Sequence, residues 1–247
     1  MSRRVVELWS PALGGAGTVV AHGHWGRPVL AFPAEAGRAD QFDMTGMVDA
    51  LGGLLADGRM KLYCVDSIDE RTWSDRSLPL EERARRHEAY EAWIVEQVVP
   101  WIHADCGGPT PIVVTGVSLG AFHAVTAALR RADLFPVALG MSGNYDPRTW
   151  SGWGEQGDSL YFHNPAAFVP NLGGDHLDWL RGHLRIVLVC GQGMWEDTTG
   201  SLAGTRTLAA ALAERGLPHE LDLWGHDSAH DWPWWRRQIV HHLPRIV

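Results

Sequence analysis

The sequence predicts an α/β fold in which a mostly parallel β-sheet is covered by helices on both faces. Short β-branched runs alternate with segments of helical periodicity along most of the chain, and this alternation is typical of parallel strands joined by right-handed crossovers. A Gly-Val-Ser-Leu-Gly motif lies where one predicted strand meets the helix that follows it. The length of 247 residues suits one domain of this kind. We therefore expect a single domain over residues 1–247.

The strand predictions rest on short apolar runs rich in β-branched residues. Val5–Trp9 and Thr18–His22 are joined through a glycine-rich turn, and we expect them to form an antiparallel edge of the sheet. The other predicted strands are Pro28–Phe32, Lys61–Val65, Pro111–Thr115, Val137–Met141, Arg185–Cys190 and His219–Trp224. Nearly continuous apolar runs indicate strands that are covered on both faces.

The helix predictions rest on apolar residues spaced three or four positions apart. Tyr90, Ile94 and Val98 recur every fourth residue and indicate one long helix. The predicted helices are Met44–Ala56, Leu80–His103, Leu119–Arg131, Ser201–Arg215 and Trp232–Leu243. They stand between the predicted strands, where the crossovers of a parallel sheet belong.

The segment from Ser142 to Gly174 interrupts this alternation. It is rich in glycine, asparagine, proline and aromatic residues, and it has no clean helical or strand period. Long irregular connections inside compact domains are usually functional or disordered, and the aromatic content favours a functional one. We expect residues 142–174 to form a short aromatic-rich cap over the functional site.

Composition limits the classes of partner and cofactor. The formal net charge is −8, so we expect no nucleic-acid partner, because such binding draws on a clustered basic surface. No apolar stretch is long enough to span a bilayer, and Arg3 and Arg4 are not followed by a signal-like apolar region. The cysteines, Cys64, Cys106 and Cys190, form no close pair or metal-ligand cluster. We expect a cytoplasmic protein with no metal and no cofactor.

The motif from Gly116 to Gly120 matches a nucleophile elbow. That chemistry needs a serine at a sharp turn between a strand and a helix, with glycines on either side to avoid clashes. The predicted strand before the motif and the predicted helix after it provide this setting. We expect Ser118 to be a nucleophile and the Leu119 N–H to donate to an oxyanion. The alternative is a glycine-rich turn without chemistry.

A histidine is expected after the last strand, because the serine, acid and histidine follow in that order in folds with this elbow. Two candidates, His226 and His230, follow the strand that ends at Trp224. His230 directly precedes the last predicted helix, where a loop can reach across to the serine, so we predict that it is the general base. We expect His226 to lie behind it or at the surface.

The acid is expected just past the strand Arg185–Cys190. Glu196 and Asp197 are neighbours in the loop that follows, and the sequence barely separates them. The acid would hold the imidazole tautomer and stabilise the imidazolium. We favour Glu196, and at least one of the two is expected to serve only as a capping acid of the next helix.

These residues resemble the putative esterase family that includes esterase D and the antigen 85 mycolyltransferases. The resemblance covers nearly the whole chain and is closest to members described only as esterase family proteins. It rests on Phe32-Pro33, Gly46 to Leu51, Val65 to Ser67, Arg85 to Tyr90, the elbow, Ser142 to Asp146 and His230 to Arg237. It implies an α/β-hydrolase fold, the same serine and histidine, and an acid after the seventh strand. It also implies a second oxyanion donor after Phe32, from the backbone of Ala34 or Glu35.

Together these features predict a serine hydrolase that cleaves a carboxylic ester through an acyl-enzyme. We expect Tyr145, Trp153 and Trp195 to bind the substrate, because aromatic residues in loops line apolar pockets. An apolar or aromatic-bearing ester would suit them. Two alternatives stay open: an acyltransferase with the same residues, and a non-catalytic binding module built on this fold. A homodimer is expected only from the general frequency of symmetric dimers.

Overall fold

The computed structural model describes residues 2–247, which form one eight-stranded sheet between two layers of helices. The strands are β1 (Arg3–Ser10), β2 (Gly15–His22), β3 (Arg27–Phe32), β4 (Met60–Val65), β5 (Val113–Val117), β6 (Val137–Met141), β7 (Arg185–Cys190) and β8 (His219–Leu223). Their order in the sheet is β1-β2-β4-β3-β5-β6-β7-β8. The strands from β4 and β3 to β8 pair in parallel, whereas β1, β2 and β4 pair antiparallel. The predicted antiparallel edge and mostly parallel sheet are thus confirmed.

The helices cover both faces of this sheet. They are α1 (Gln41–Met44), α2 (Met47–Ala50), α3 (Gly52–Ala56), α4 (Leu80–Trp93), α5 (Val99–Asp105), α6 (Leu119–Arg130), α7 (Asp158–Phe162), α8 (Pro165–Phe168), α9 (Gly174–His183), α10 (Ser201–Glu214) and α11 (Trp232–His242). One apolar core lies between the sheet and helices α4, α5, α6, α9 and α10. The second lies between the sheet and helices α1 to α3 and α11.

Strand β3 shows why its apolar run is nearly continuous. Leu30 and Phe32 belong to the first core, and Val29 and Ala31 to the second. Successive side chains of a strand point to opposite faces, so a strand with a core on each side needs apolar residues at every position. This arrangement places the carboxyl ends of the parallel strands at one edge, where ligands bind in such sheets.

Two helix predictions differ from the structure. The segment predicted as one helix from Met44 to Ala56 consists of three short helices, α1 to α3. Gly46 adopts a left-handed conformation (φ 74°) between the first two, and that conformation ends a helix. The segment Leu80–His103 is helical throughout, but one wide turn (Ile94–Val98) separates α4 from α5. Pro100 accounts for the wide turn, because its ring crowds the carbonyl four residues earlier.

The segment 142–174 is more ordered than its composition indicates. It contains α7 and α8 and two single helical turns, Pro147–Thr149 and Val169–Asn171. Helix α9 was not predicted from the sequence, and only its Leu177 and Leu180 are buried. Two buried positions form too short a stripe for a helical period to be recognised. Within residues 2–247, no helix has the length and apolar composition needed to cross a membrane.

Candidate active site

Ser118 occupies a strained turn between β5 and α6. Its backbone has φ 56° and ψ −122°, a conformation that is costly for a residue with a side chain and that typically occurs at functional sites. A Cβ on Gly116 would overlap the carbonyl of Gly120, and a Cβ on Gly120 would overlap the carbonyls of Phe32 and Pro33. Both glycines of the motif are therefore required by close backbone approach.

His230 lies beside this serine on the loop between β8 and α11. Its Nε2 is 2.9 Å from Ser118 Oγ, and its backbone N–H donates to the Met194 carbonyl (2.9 Å). The Trp235 indole and the imidazole pack nearly perpendicular to each other, with ring centroids 4.9 Å apart. His226, in contrast, is exposed and its Nδ1 faces the Gln192 carbonyl at 3.1 Å. Of the two candidate histidines, the fold brings only His230 to the serine.

Glu196 completes the array from the loop after β7. Its carboxylate is fully buried, and Oε2 lies 3.0 Å from His230 Nδ1. A carboxylate only accepts hydrogen bonds, so Nδ1 carries the proton and leaves Nε2 free to accept from the Ser118 hydroxyl. Asp197 is exposed. The two acids that the sequence barely separated thus differ in burial, and Glu196 is the one in contact with the histidine.

Three further groups donate to the Glu196 carboxylate. Oε1 accepts from Ser142 Oγ (2.6 Å) and from the Gly191 N–H (3.1 Å), and Oε2 accepts from Cys190 Sγ (3.5 Å). Burial, followed by the charge of Glu196, raises the pKa of the Cys190 thiol, so this cysteine stays protonated and donates. A buried carboxylate with this many donors is well hydrogen-bonded and is held in one orientation.

Ser142 and Trp235 are residues of the site that the sequence did not predict. Trp235 Nε1 donates to Ser142 Oγ (3.0 Å), which in turn donates to Glu196. Ser142 is fully buried and has φ 54°. Its position directly after β6, at the carboxyl edge of the sheet, is the one sequence signal that could have identified it.

Two backbone amides beside Ser118 have no hydrogen-bond acceptor within residues 2–247. One is the N–H of Leu119, the first residue of α6, and the other is the N–H of Glu35. Both residues line the same cavity as Ser118. The Ala34 N–H donates to Gln41 Oε1 (2.8 Å). Of the two amides implied for the second oxyanion donor, only that of Glu35 is free.

The cavity at Ser118 has a volume of about 340 Å³ and a largely polar wall. Glu35 and Arg76 contribute charged groups, and Trp73 and Trp150 contribute aromatic rings 5.6 Å apart. Hydroxyl and amide side chains form most of the remainder, namely those of Ser74, Asn144, Thr149, Ser151, Thr198, Thr199 and Ser201. A wall of this kind differs from the apolar pocket expected from the aromatic content of the sequence.

The three aromatic residues predicted to bind substrate do not line this cavity. Tyr145 is fully buried in the core, and its ring fills the space left by Gly140 and Gly143. Trp153 and Trp195 are each 54% exposed, and the Trp153 indole donates to the Arg76 carbonyl (3.2 Å). The role of these three residues in substrate binding stays a prediction. Trp150, from the predicted cap segment, and Trp73, from the loops after β4, are the aromatics at the cavity.

Two groups of side chains within residues 2–247 are close enough to hold a metal ion. The first consists of His87, Glu91 and His163, where Arg130 already donates to His163 Nε2 (2.9 Å) and lies 3.2 Å from Glu91. A guanidinium there supplies the cation that the carboxylate needs. The second consists of Asp222, His241 and His242, of which His241 is exposed. Neither group lies at Ser118.

Comparison with known proteins adds a family and a set of related folds. Residues 37–246 match the model of a family described as putative esterase. A ferulic acid esterase is 17% identical with a TM-score of 0.76, covering 99% of this chain and 97% of that chain. MPT51 from Mycobacterium tuberculosis is 14% identical with a TM-score of 0.75 and coverages of 100% and 98%. An S-formylglutathione hydrolase from Staphylococcus aureus is 11% identical with a TM-score of 0.74 and coverages of 99% and 98%. A search of curated proteins found no match.

Proposed function

The chain belongs to the putative esterase family, and from this premise we propose that it is a serine esterase in which Ser118, His230 and Glu196 carry out the reaction. The observation that supports this proposal is the hydrogen-bonded series Ser118–His230–Glu196, with contacts of 2.9 and 3.0 Å. A nucleophile and a base within hydrogen-bond reach, with the base oriented by a third group, are what acyl transfer through serine requires.

In the first half of the proposed reaction, Ser118 Oγ attacks the ester carbonyl while His230 Nε2 takes its proton. Glu196 stabilises the imidazolium that forms. The negative charge that develops on the carbonyl oxygen is held by the N–H groups of Leu119 and Glu35. Both N–H groups can bind the oxyanion without breaking an existing hydrogen bond, because neither has an acceptor within residues 2–247. Donors of this kind supply several kcal/mol of transition-state stabilisation, on the order of 3 kcal/mol each.

In the second half, the imidazolium returns the proton to the leaving alcohol, which departs and leaves an ester of Ser118. A water molecule then attacks this acyl-enzyme and gives a proton to His230, which returns it to Ser118 Oγ as the bond to the acyl group breaks and the acid product is released. The polar wall around Ser118 favours access of water. Product analysis with and without an added alcohol tests whether water or an alcohol accepts the acyl group, because an acyltransferase would form a new ester when the alcohol is present.

We propose a small, polar ester as the substrate. The cavity is about 340 Å³ in volume, which lies at the lower end of the range for small-molecule sites. Its hydroxyl and amide side chains can pair with hydroxyl or carbonyl groups of a substrate, whereas a long alkyl chain would leave them unpaired at a cost. We expect kcat/KM to fall as the acyl chain of a nitrophenyl ester series is lengthened. A rise with chain length would contradict this substrate class.

The proposed nucleophile can be tested without knowledge of the substrate. The purified protein is treated with a fluorophosphonate probe, and the modified peptide is identified by mass spectrometry. We expect stoichiometric labelling of Ser118 and its loss in the Ser118→Ala and His230→Ala variants. His226→Ala is the matched control, because His226 lies in the same loop but faces the Gln192 carbonyl, and it should label normally. Labelling elsewhere, or none, would overturn the proposal.

Three finer properties are also part of the proposal. A reducing cytoplasm suits the cysteines, because Cys64, Cys106 and Cys190 are all free thiols. A homodimer is proposed on the frequency of symmetric dimers alone, and light scattering of the purified protein tests it. We expect no nucleic-acid partner, since the formal net charge is −8.

A further inference from the structure

A carboxylate and a histidine are buried together outside the proposed triad. Asp69 opens a single helical turn (Asp69–Arg71) after β4, and His123 lies on α6. Asp69 is 1% exposed and His123 is 3% exposed. His123 Nε2 lies 2.9 Å from Asp69 Oδ1, and it donates this hydrogen bond because a carboxylate only accepts. Such deep burial of a carboxylate is costly unless it is fully hydrogen-bonded, so the pair invites a functional explanation.

The second oxygen of Asp69 holds the loop that carries the proposed Glu35 oxyanion donor. Asp69 Oδ2 accepts from the Ala36 N–H at 3.2 Å, and the Ala34 N–H on the other side is bound by Gln41. The amides on both sides of Glu35 are therefore fixed, while its own N–H stays free. Ala36 has φ 53°, a strained conformation that persists only where neighbouring groups enforce it.

The other partner of Asp69 lies on the helix that carries the first donor. Leu119 begins α6, and His123 follows about one helical turn later. The His123 ring stacks on His87, with centroids 4.9 Å apart and planes 18° apart. Burial, followed by the positive groups nearby, lowers the pKa of His87 well below its usual value. His87 is therefore uncharged, and its ring packs against the His123 ring without adding a positive charge.

We propose that the Asp69–His123 pair positions the oxyanion hole, by tying the helix that presents the Leu119 N–H to the loop that presents the Glu35 N–H. One carboxylate bonds to both elements, so the separation of the two donors depends on it. This inference rests on the proposed function, since it assigns the pair a purpose in the reaction at Ser118. Asp69 and His123 are positioning residues: they act through the backbone amides and do not touch the reacting atoms.

The test uses two variants that remove the link and two that preserve it. Asp69→Ala and His123→Ala break the contact, whereas Asp69→Asn retains an acceptor for the Ala36 N–H and His123→Gln retains a donor near the position of Nε2. Steady-state kinetics with a short nitrophenyl ester are combined with the inhibition constant of a trifluoromethyl ketone. This ketone forms a tetrahedral oxyanion on the serine, so it reports on the donors directly.

We expect Asp69→Ala and His123→Ala to lower kcat about 10- to 100-fold, part of the loss seen when one oxyanion donor is removed altogether. KM should stay within about threefold, because the donors act mainly in the transition state. The trifluoromethyl ketone should bind more weakly by a factor similar to that for kcat. Asp69→Asn and His123→Gln should recover most of both losses. Asp222→Asn, which alters a His–Asp contact of equal length (2.9 Å) to His242, is the matched control and should leave kcat unchanged.

Three results would overturn the inference. One is an Asp69→Ala or His123→Ala protein that melts at a lower temperature yet keeps the wild-type kcat. The second is a loss that appears equally in substrate affinity and in inhibitor affinity. The third is a failure of both conservative variants to recover activity while they remain folded. If Asp69→Ala does not fold, His123→Ala decides. Failure of the proposed function itself would be recognised separately, as an absence of fluorophosphonate labelling at Ser118 in the wild-type protein.

Discussion

Replacing Ser142 with alanine should show how much of the activity depends on the hydrogen bond that Ser142 donates to the proposed acid, because Glu196 itself is retained. Ser142 Oγ is one of two donors to Glu196 Oε1, at 2.6 Å, and it also accepts from the Trp235 indole. In Ser142→Ala, Oε1 keeps only the Gly191 N–H at 3.1 Å. Both the buried carboxylate and the indole N–H then lose a partner.

The size of the effect follows from what each lost hydrogen bond does. A hydrogen bond to a charged group contributes about 1.5–3 kcal/mol, so the free energy of unfolding should fall by about 2–3 kcal/mol. For a domain of this size that corresponds to a decrease in melting temperature of about 4–12 °C. Ser142 does not touch the reacting atoms, so it affects the barrier only through the orientation that it gives to the Glu196 carboxylate. We expect the poorer orientation of the carboxylate to raise the activation barrier by about 1.4 kcal/mol, which corresponds to a tenfold decrease in kcat.

The assay is kcat from a nitrophenyl ester together with thermal unfolding of the same preparations. Thr205→Val is the matched control, because Thr205 Oγ1 is equally buried but donates to the Gly143 carbonyl (3.1 Å) rather than to Glu196. It should lower the melting temperature and leave kcat within about twofold, because the Thr205 hydroxyl donates to a backbone carbonyl and not to the proposed acid. A Ser142→Ala protein with the same pattern as Thr205→Val would refute the proposed support of Glu196.

Two further predictions concern pH and the elbow. Burial lowers the pKa of His87, His22 and His242 in the folded chain. Below about pH 6.5 the unfolded chain therefore binds protons that the folded chain does not. The free energy of unfolding then falls by up to about 1.4 kcal/mol per pH unit for each histidine. The decrease in melting temperature between pH 7 and pH 5 should therefore be smaller in His87→Asn than in the exposed-residue control His24→Asn; equal slopes would contradict this. In the elbow, Gly120→Ala would press a Cβ against the carbonyls of Phe32 and Pro33, so we expect a loss of about 1–3 kcal/mol of stability together with most of the activity. Gly182→Ala in α9 meets nothing within 4 Å and should instead raise the melting temperature by about 2–4 °C, the effect of about 1 kcal/mol of helix propensity. Calorimetry that found the two glycine variants equally stable would rule out the backbone contact as the reason for Gly120.

The features that the sequence predicted well are those determined by neighbours along the chain. The elbow is recognised from five consecutive residues, because strand, turn and helix each leave a local pattern. The order of strand ends then places His230 near Ser118 without any knowledge of side-chain contacts. The parallel sheet follows in the same way from the alternation of elements.

The features that the sequence did not decide depend on contacts between residues that are not neighbours in the chain. Glu196 and Asp197 are adjacent, and only contacts with Ser142, Gly191 and His230 distinguish them. Glu35 is left as the free amide because a side chain seven residues from Ala34 binds the other candidate. Such choices depend on tertiary packing, for which a single sequence holds no local signal.

The aromatic residues at the cavity likewise could not be identified from local sequence patterns. An aromatic side chain in a loop fits an apolar core as well as it fits a pocket. Tyr145 is buried because glycines at positions 140 and 143 leave room for its ring, and that room is visible only in three dimensions. The polar character of the cavity likewise comes from loops that are distant in sequence.

The most direct test of the central claim is detection of the acyl-enzyme itself. The protein is mixed with a short nitrophenyl ester, quenched in acid within milliseconds to seconds, and examined by intact-mass and peptide mass spectrometry. We predict a single acyl group on Ser118 that forms with the initial burst of nitrophenol and disappears as substrate is exhausted. Steady release of nitrophenol with no acyl group on Ser118, or with the acyl group on another residue, would contradict the account.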